Sequence, residues 1–358
     1  MDFTFSAEQN QLRDSVRGFL ADKAPKSYVR AMTEDDRGFT DEVWNQIVDL
    51  GWTSILVPED AGGLGMGMVD MTVVLEEMGK VPFPGPFFSA AVQAPLVAGR
   101  LGLASLLQQG RGTVALEELG SGDPVQRVRT RALRKGVRWL LTGLKPVVVD
   151  GHTADWVLVA ARTEEGLGTF LIERPEAERV ATWDVTRKIA RMQLDATPAE
   201  RVGPPGDHTA MWRRFADDAA VALCAELVGS SEKALELAVE YAKVRVQFGR
   251  PIATFQAIKH KCAEMLQALE LARVGTHYAA WTSDVEEPNR ERAAAMAKGF
   301  VTEAANHVAA ESIQIHGGVG FTWECDAHLH YRRAKESDLM LGQQSWQRRR
   351  LADLVLTQ

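Results

Sequence analysis

Three long amphipathic segments in the second half of the chain constrain its fold more than any other feature of the sequence. They run from Ala219 to Lys243, from Phe255 to Tyr278 and from Arg290 to Ile315, and each shows the apolar spacing of a helix. Helices of this length usually pack against one another as an antiparallel bundle. The sequence therefore predicts a helical C-terminal domain over residues 207–358.

Helical signals also dominate the first third of the chain. Ser6 with Gln9 forms a capping-box pattern, and Thr40 begins a second helical segment that Gly51 ends. A glycine-rich loop, Pro58 to Gly67, precedes a further helical segment at Asp70 to Met78. These signals predict an N-terminal helical domain over residues 1–110.

The middle of the chain has a different pattern of apolar and turn-forming residues. Short apolar or alternating runs, separated by turn signals such as Gly143 and Gly166, are typical of strands. We interpret residues 111–206 as an antiparallel β domain, which makes the fold class α+β. The predicted strands are Thr113–Leu116, Val137–Leu141, Pro146–Val149, Trp156–Ala161 and Thr169–Ile172.

Charge and cysteine content exclude several classes of protein. The 41 basic and 48 acidic residues give a net charge of −7, which argues against a nucleic-acid partner because phosphate binding needs a cationic surface. No apolar stretch approaches the ~20 residues that span a bilayer, and the N-terminus lacks a secretory pattern, so we expect a cytoplasmic protein. Cys224, Cys262 and Cys325 lie far apart and predict neither a metal site nor a disulfide. We interpret the basic run Arg348–Arg350 as a solvated helix face.

Two short segments carry candidate binding chemistry. In YAKVRVQFGRPI, residues 241–252, Arg245 lies beside a turn at Phe248, where its planar guanidinium could bind a phosphate. In QIHGGVGFTWE, residues 314–324, the glycines allow positive φ angles and close approach of the backbone to a pyrophosphate. Taken singly, each segment is more commonly a helix-capping arginine or an ordinary turn.

Taken together, the segments resemble the acyl-CoA dehydrogenase family. The resemblance extends over nearly the whole chain and includes FSAEQNQLRDSVRGFL, PEDAGGLG, LEEMGKVPFPGP, RVQFGRPIATFQAIKHKCAEM and IQIHGGVGFTWECDAHLHYRRAK. It implies an N-terminal helical domain, a middle β-barrel and a C-terminal four-helix bundle, with FAD bound between subunits. It also implies a reaction in which a glutamate removes the α proton of an acyl-CoA while the flavin accepts the β hydride.

The resemblance further assigns candidate cofactor residues. They would reach the ADP half of an FAD held mainly by a neighbouring subunit. These residues are Arg245, Phe248, Gln256, Gln314, Gly317, Gly318 and Gly320.

The catalytic and flavin-ring positions depart from the family pattern. The two positions where members carry the catalytic base are Leu341 and Ala219, and a nearby arginine position holds Ala220. Glu117 replaces a threonine that faces the flavin, and Pro146–Val149 replaces an aromatic and polar segment. We therefore predict no catalytic residue and no metal ligand in this chain.

This combination resembles the base-less subunit of actinobacterial heteromeric (α2β2) acyl-CoA dehydrogenases, some of which act on sterol side-chain CoA thioesters. The implied partners are a homologous catalytic subunit, an acyl-CoA substrate and an electron-transfer flavoprotein or similar acceptor. One alternative is an active homo-oligomer with a displaced base at Glu336, Asp338 or Glu226, although such carboxylates are more commonly solvated. Two others are a related flavin oxygenase or reductase, and a non-enzymatic scaffold subunit.

Overall fold

A computed structural model of the chain describes residues 5–356 and begins with a helical region. Its helices are α1 (Ala7–Lys23), α2 (Lys26–Glu34), α3 (Asp41–Asp49), α4 (Met68–Lys80) and, after a π-helical turn, α5 (Ala94–Ala98).

The predicted helix starts are confirmed at their caps. The Ser6 hydroxyl accepts a hydrogen bond from the Gln9 amide at 3.1 Å, and the Gln9 side chain accepts one from the Ser6 amide at 3.0 Å. The Thr40 hydroxyl accepts a hydrogen bond from the Val43 amide. Such reciprocal bonds satisfy backbone donors that a helix leaves free in its first turn.

The middle region is a seven-stranded sheet. Its strands are β1 (Gly112–Ala115), β2 (Arg131–Lys135), β3 (Arg138–Val149), β4 (Trp156–Thr163), β5 (Gly166–Glu173), β6 (Glu178–Val180) and β7 (Ile189–Val202).

The pairing of these strands forms a ring. β4 pairs with β5, β5 with β7, β7 with β3 and β3 with β2, and β2 returns to β4 where Arg131 meets Arg162. The prediction of a purely antiparallel sheet is wrong, because β1 and β2 both run parallel to β4.

The strand β3 joins two segments that were predicted to be separate. Gly143 was interpreted as a turn, but it lies within β3 at an irregularity in the pairing with β7. A Cβ atom at Gly143 would lie 2.6 Å from the Thr130 hydroxyl. Glycine is therefore needed here for close approach of the backbone to a neighbouring segment.

The C-terminal region is a helical bundle. Its long helices are α6 (Thr209–Val244), α7 (Gln256–Asp284) and α8 (Arg290–His316), followed by α9 (Ala327–Leu339) and α10 (Gln344–Leu356). α6 packs on α7, α8 and α9. Between α6 and α7 lies a small hairpin of β8 (Val246–Gln247) and β9 (Arg250–Pro251).

The two helical regions meet where α4 crosses α6. A Cβ atom at Gly79 would lie 2.0 Å from the Glu226 carbonyl oxygen, and one at Gly229 would lie 1.8 Å from that of Glu76. Only glycine permits this close crossing of two helices.

The fold class predicted from the sequence is confirmed, with a helical N-terminal domain, a β-rich middle and a helical C-terminal domain. The boundaries at residues 110 and 206 remain predictions. The interpretation of Arg348–Arg350 as a solvated face is wrong at Arg350, which pairs with Asp217 and Glu291 at 2.6 Å each. None of the helices described within residues 5–356 is long and apolar enough to cross a membrane.

Candidate functional site

One end of the C-terminal bundle brings the two predicted binding segments together. The ring of Tyr241, near the end of α6, stacks on His316, the last residue of α8, with 4.6 Å between centroids. Arg245 follows Tyr241 by four residues, and Gly317 follows His316 directly. The stack therefore holds the arginine turn and the glycine segment side by side.

The arginine turn is exposed. Arg245 caps α6 by donating its amide hydrogen to the Tyr241 carbonyl oxygen at 2.9 Å, while its guanidinium has no side-chain partner among residues 5–356. Phe248 forms the tip of the hairpin at a positive φ of 52° and is 91% exposed. A free guanidinium beside an exposed aromatic ring can bind a phosphorylated, planar ligand.

The glycine segment is open at two of its three glycines. A Cβ atom at Gly317 or Gly318 would meet no atom within 4 Å, so the rest of the chain does not require glycine there for space. Gly320 is different, because its Cβ would lie 2.8 Å from the His316 Cβ. Gly320 is therefore required for packing within the chain, and its contact with the cofactor remains a prediction. The expected positive φ occurs at Gly317 alone of the three.

The remaining two predicted cofactor residues are exposed at the same end of the bundle. Gln256 is the first residue of α7, and Gln314 lies in the last turn of α8. Open backbone, two amide side chains and a free guanidinium fit the pyrophosphate and ADP half of FAD.

A cavity of about 780 Å³ lies between the sheet and α9. We call it the sheet-side cavity. Its walls are mainly apolar and include Glu117, Pro146, Val147, Trp183, Tyr331 and Met340. Glu117 and the first two residues of the Pro146–Val149 segment, all at positions that depart from the family pattern, thus line one space.

A second cavity, of about 770 Å³, lies between the loop before β2 and the helices α6 and α10. We call it the helix-side cavity. Its lining is more polar and includes Asp123, Arg127, Arg213, Asp217, Leu341 and Arg350.

Glu117, Arg127 and Leu341 lie between the two cavities. Glu117 lines the sheet-side cavity, Leu341 the helix-side cavity and Arg127 both. The Leu341 amide donates a hydrogen bond to the Glu117 carboxylate at 2.9 Å, and Leu341 has a positive φ of 56°. Burial raises the pKa of the Glu117 carboxyl, and the Leu341 amide and the cations Arg127 and Lys298 oppose that rise.

Neither expected base position holds an ionisable group. Leu341 and Ala219 are both buried and apolar, as is Ala220. Nothing at these positions can accept a proton from a substrate.

The structure corrects the expectation that Glu226 is a solvated carboxylate. It is buried, and its two oxygens pair with Arg187 and Arg333. Because both oxygens already accept charge-assisted hydrogen bonds, Glu226 is a poor general base.

Glu336 and Asp338 also engage protein donors. Glu336 accepts a hydrogen bond from the Asp184 amide at 2.8 Å, and its other oxygen is buried without a partner within residues 5–356. Burial raises the pKa of Glu336 to about 7. Asp338 accepts a hydrogen bond from the Gln344 amide at 3.0 Å. Both residues line the sheet-side cavity, so neither is simply solvated.

A buried ion network occupies the interior beside Glu226, and the sequence reasoning missed it. Arg333 pairs with Asp184 as well as Glu226, and all three are buried. The void beside this network measures only about 20 Å³. One feature of the sequence could have indicated it: Arg333 is the third residue of YRRAK, where the family's YRDAK-like segment has an aspartate.

The chain is similar to known proteins in both sequence and structure. A family model described as "Acyl-CoA dehydrogenase, N-terminal domain" matches residues 6–106, and "Acyl-CoA dehydrogenase, C-terminal domain" matches residues 206–356. The "Acyl-CoA dehydrogenase IpdE2" of Mycobacterium tuberculosis is 35% identical over 337 residues, which cover 93% of each chain.

Solved structures of similar chains agree with these matches. A variant of the Tcur3481-Tcur3483 steroid ACAD has a TM-score of 0.88 and 31% identity, and covers 98% of both chains. The ChsE4-ChsE5 complex from Mycobacterium tuberculosis contains a chain with a TM-score of 0.88 and 27% identity, with 99% of both chains covered.

Proposed function

Because this chain belongs to the acyl-CoA dehydrogenase family, we propose that it is the base-less subunit of a heteromeric, FAD-dependent acyl-CoA dehydrogenase. The observation that carries the proposal is an asymmetry between two half-sites. The surface that resembles the family's contact to a neighbour's FAD is open and chemically suited to it, whereas the chain's own reaction centre holds Leu341 and Ala219.

In the proposed complex, FAD supplies the hydride acceptor when it is bound. The residues of this chain would hold its ADP half. Arg245 would pair with the pyrophosphate through its planar guanidinium, and the exposed backbone at Gly317 and Gly318 would let that group approach closely. Phe248, Gln256 and Gln314 would orient the remainder, and Gly320 would act through packing.

A homologous partner would supply what this chain lacks. It would provide the glutamate that removes the α proton, the contacts to the flavin ring and most of the acyl pocket. The interior of this chain supports that division, because buried ion pairs between Arg187, Glu226 and Arg333 leave only a small void there.

The named relatives support both the assembly and the substrate class. One structural neighbour comes from the ChsE4-ChsE5 complex, and another is described as a steroid ACAD. We infer that the complex desaturates an acyl-CoA such as a sterol side-chain CoA thioester. An electron-transfer flavoprotein or a similar acceptor would then reoxidise it in the cytoplasm.

One observation favours a second candidate, an active homo-oligomer with a displaced base. Glu336 lines the sheet-side cavity, and one of its oxygens is buried without a partner among residues 5–356. Burial raises its pKa to about 7, a value suited to general-base catalysis. Under the leading proposal, Glu336 is dispensable for the chemistry of the complex.

Purification of the chain alone and after co-expression with homologous catalytic subunits tests the proposal. The expected result is little flavin and no dehydrogenation for the chain alone. The co-expressed complex should be active and carry about one FAD for every two chains, as two-fold sharing of sites requires. A yellow, active protein purified alone would contradict it and would make Glu336 the first residue to mutate.

The role of Arg245 is tested in the same complex. Arg245→Ala should weaken FAD retention by about 10- to 100-fold, since a charge-assisted hydrogen bond contributes about 1.5–3 kcal/mol. Arg250→Ala is the matched control, because this nearby exposed arginine stacks on Phe255 within the same turn and should leave retention near the wild-type value. Equal FAD retention in the Arg245 variant and the wild type would favour the scaffold alternative.

A further inference from the structure

The wall between the sheet-side and helix-side cavities consists of residues that are far apart in the sequence. Glu117 follows β1 by two residues, and Leu341 lies in the turn between α9 and α10. Both residues line a void of only about 10 Å³ at their junction. Two cavities of nearly 800 Å³ are thus kept apart by a few side chains.

The Glu117 carboxylate holds this wall in place. It accepts the Leu341 amide hydrogen at 2.9 Å, and the Arg127 guanidinium lies 3.7 Å away. Leu341 has a left-handed backbone that a non-glycine residue adopts only at a cost. The hydrogen bond from Glu117 therefore stabilises a turn conformation that Leu341 would otherwise disfavour.

A flavin ring does not fit beside this carboxylate. The pyrimidine edge of a flavin presents mainly acceptor atoms, and it gains negative charge on reduction. An ionised carboxylate only accepts hydrogen bonds and would repel that charge in a poorly solvated space. A protonated carboxyl would still place its bulk and its bond to Leu341 at the same point.

We propose that Glu117 is a plug: by linking the end of β1 to the turn at Leu341, it keeps a flavin ring out of this chain's own sheet-side cavity. The inference rests on the proposed function, and it names the residue that limits the complex to one set of flavin sites. The acceptor comes from the Glu117 side chain and the donor from the backbone amide of Leu341, so the substitution at position 117 alone creates this link.

The test uses the co-expressed complex with three versions of this chain: wild type, Glu117→Thr and Glu117→Gln. Threonine is too short to reach the Leu341 amide, whereas the glutamine amide oxygen can still accept its hydrogen bond without charge. Two quantities are measured. One is the FAD released per chain on denaturation, after incubation with excess FAD, and the other is hydrogen exchange of residues 339–343.

Glu117→Thr is expected to expose the Leu341 amide to exchange and to raise the FAD content by as much as about twofold. Glu117→Gln is expected to keep both values at the wild-type level. If Glu117→Thr exposes the amide but leaves the FAD content unchanged, the plug is refuted. If Glu117→Gln also raises the FAD content, the bridging role is refuted, because the negative charge alone would then account for the exclusion of flavin. Should the threonine variant fail to assemble, Glu117→Ser gives the same two readouts.

The wild-type complex separates this inference from the proposed function. One FAD per chain in the wild type would overturn the shared-site assembly and the plug together. One FAD per two chains in the wild type, with no gain in the Glu117→Thr complex, would overturn the plug alone.

Discussion

At the scale of single residues, three carboxylates near the site face different sets of donors. Glu226 forms ion pairs with two guanidinium groups. Glu117 accepts a hydrogen bond from a backbone amide and has an arginine at a longer distance. One oxygen of Glu336 accepts a hydrogen bond from the Asp184 amide, and the other has no partner in the described part of the chain. Burial and the nearby Asp184 carboxylate raise the pKa of Glu336 to about 7, against the pull of Arg187 and Arg333.

This shift predicts a dependence of stability on pH. Because the pKa of Glu336 is higher in the folded chain than the 4.5 of a free glutamate, the folded state binds more protons between these values. The free energy of unfolding should therefore fall as pH rises through this window and then level off. Glu336→Gln should remove this component, as measured by urea unfolding at about pH 5 and about pH 8.

The control for this measurement is Glu240→Gln, which changes an exposed carboxylate on α6. It should retain the wild-type pH dependence. A Glu336→Gln variant whose stability falls with pH as steeply as that of the wild type would show that Glu336 does not titrate in this range.

At the scale of elements, α9 is fixed by contacts to three separate parts of the chain. Arg333 on α9 pairs with Asp184 from the segment between β6 and β7 and with Glu226 on α6. It also donates to the Phe83 carbonyl oxygen beyond α4. Arg333 thus joins the three regions of the fold in its interior.

Removing this arginine should be strongly destabilising. Arg333→Met removes the arginine that pairs with both Asp184 and Glu226 in the interior, and breaking a buried ion pair from one side costs about 3–5 kcal/mol. Chemical unfolding of the purified chain or complex measures the change. Lys335→Met, two residues along the same helix at an exposed position, is the control and should change stability by less than about 1 kcal/mol. Similar stability for both variants would show that the network contributes little.

These elements show which parts of the fold a sequence can predict. The caps at Ser6 and Thr40 and the long helices depend on local spacing, and they were predicted nearly as they occur. β7 was missed because its outward face is polar and contains Pro198, which weakens the alternating pattern. The helical domain was predicted from residue 207, close to the start of α6 at Thr209, but its amphipathic pattern becomes clear only at Ala219. Arg213, Arg214, Asp217 and Asp218 interrupt the apolar spacing before that point with charges.

In the candidate site, too, local motifs could be predicted from the sequence and long-range contacts could not. The arginine turn and the glycine segment are local motifs, so their residues could be predicted, although the packing role of Gly320 could not. The bond between Glu117 and Leu341 joins positions 224 residues apart. Burial of Glu226 between two arginines likewise depends on tertiary packing, which spacing along the chain does not reveal.

At the scale of the whole molecule, the chain exposes apolar side chains where the proposed FAD contact lies. Val244 is 75% exposed and Phe248 is 91% exposed, and both flank Arg245. Large exposed apolar groups next to a free cation are typical of a surface that a partner covers. The same turn would then contact both the cofactor and the catalytic subunit.

Assembly of the complex should depend on this turn. Phe248→Ala should weaken association with the catalytic subunit by about 10- to 100-fold, since buried aromatic residues contribute most of the binding free energy in such interfaces. Val137→Ala is a matched control, because Val137 is 92% exposed but lies at the β2–β3 turn. Light scattering after size-exclusion chromatography, across a dilution series, measures the effect. Equal dissociation of the two variants would place the interface elsewhere.

The outward position of the Arg245 turn also has a consequence for inheritance. The Arg245 guanidinium has no side-chain partner within residues 5–356, and Phe248 is almost fully exposed. A mutation at either position would therefore leave the chain that carries it folded. In the proposed assembly, the activity lost would be that of the catalytic subunit, which another gene encodes. Natural selection would preserve this turn only while both genes are kept together, so the two would be expected to be gained, lost and regulated as a pair.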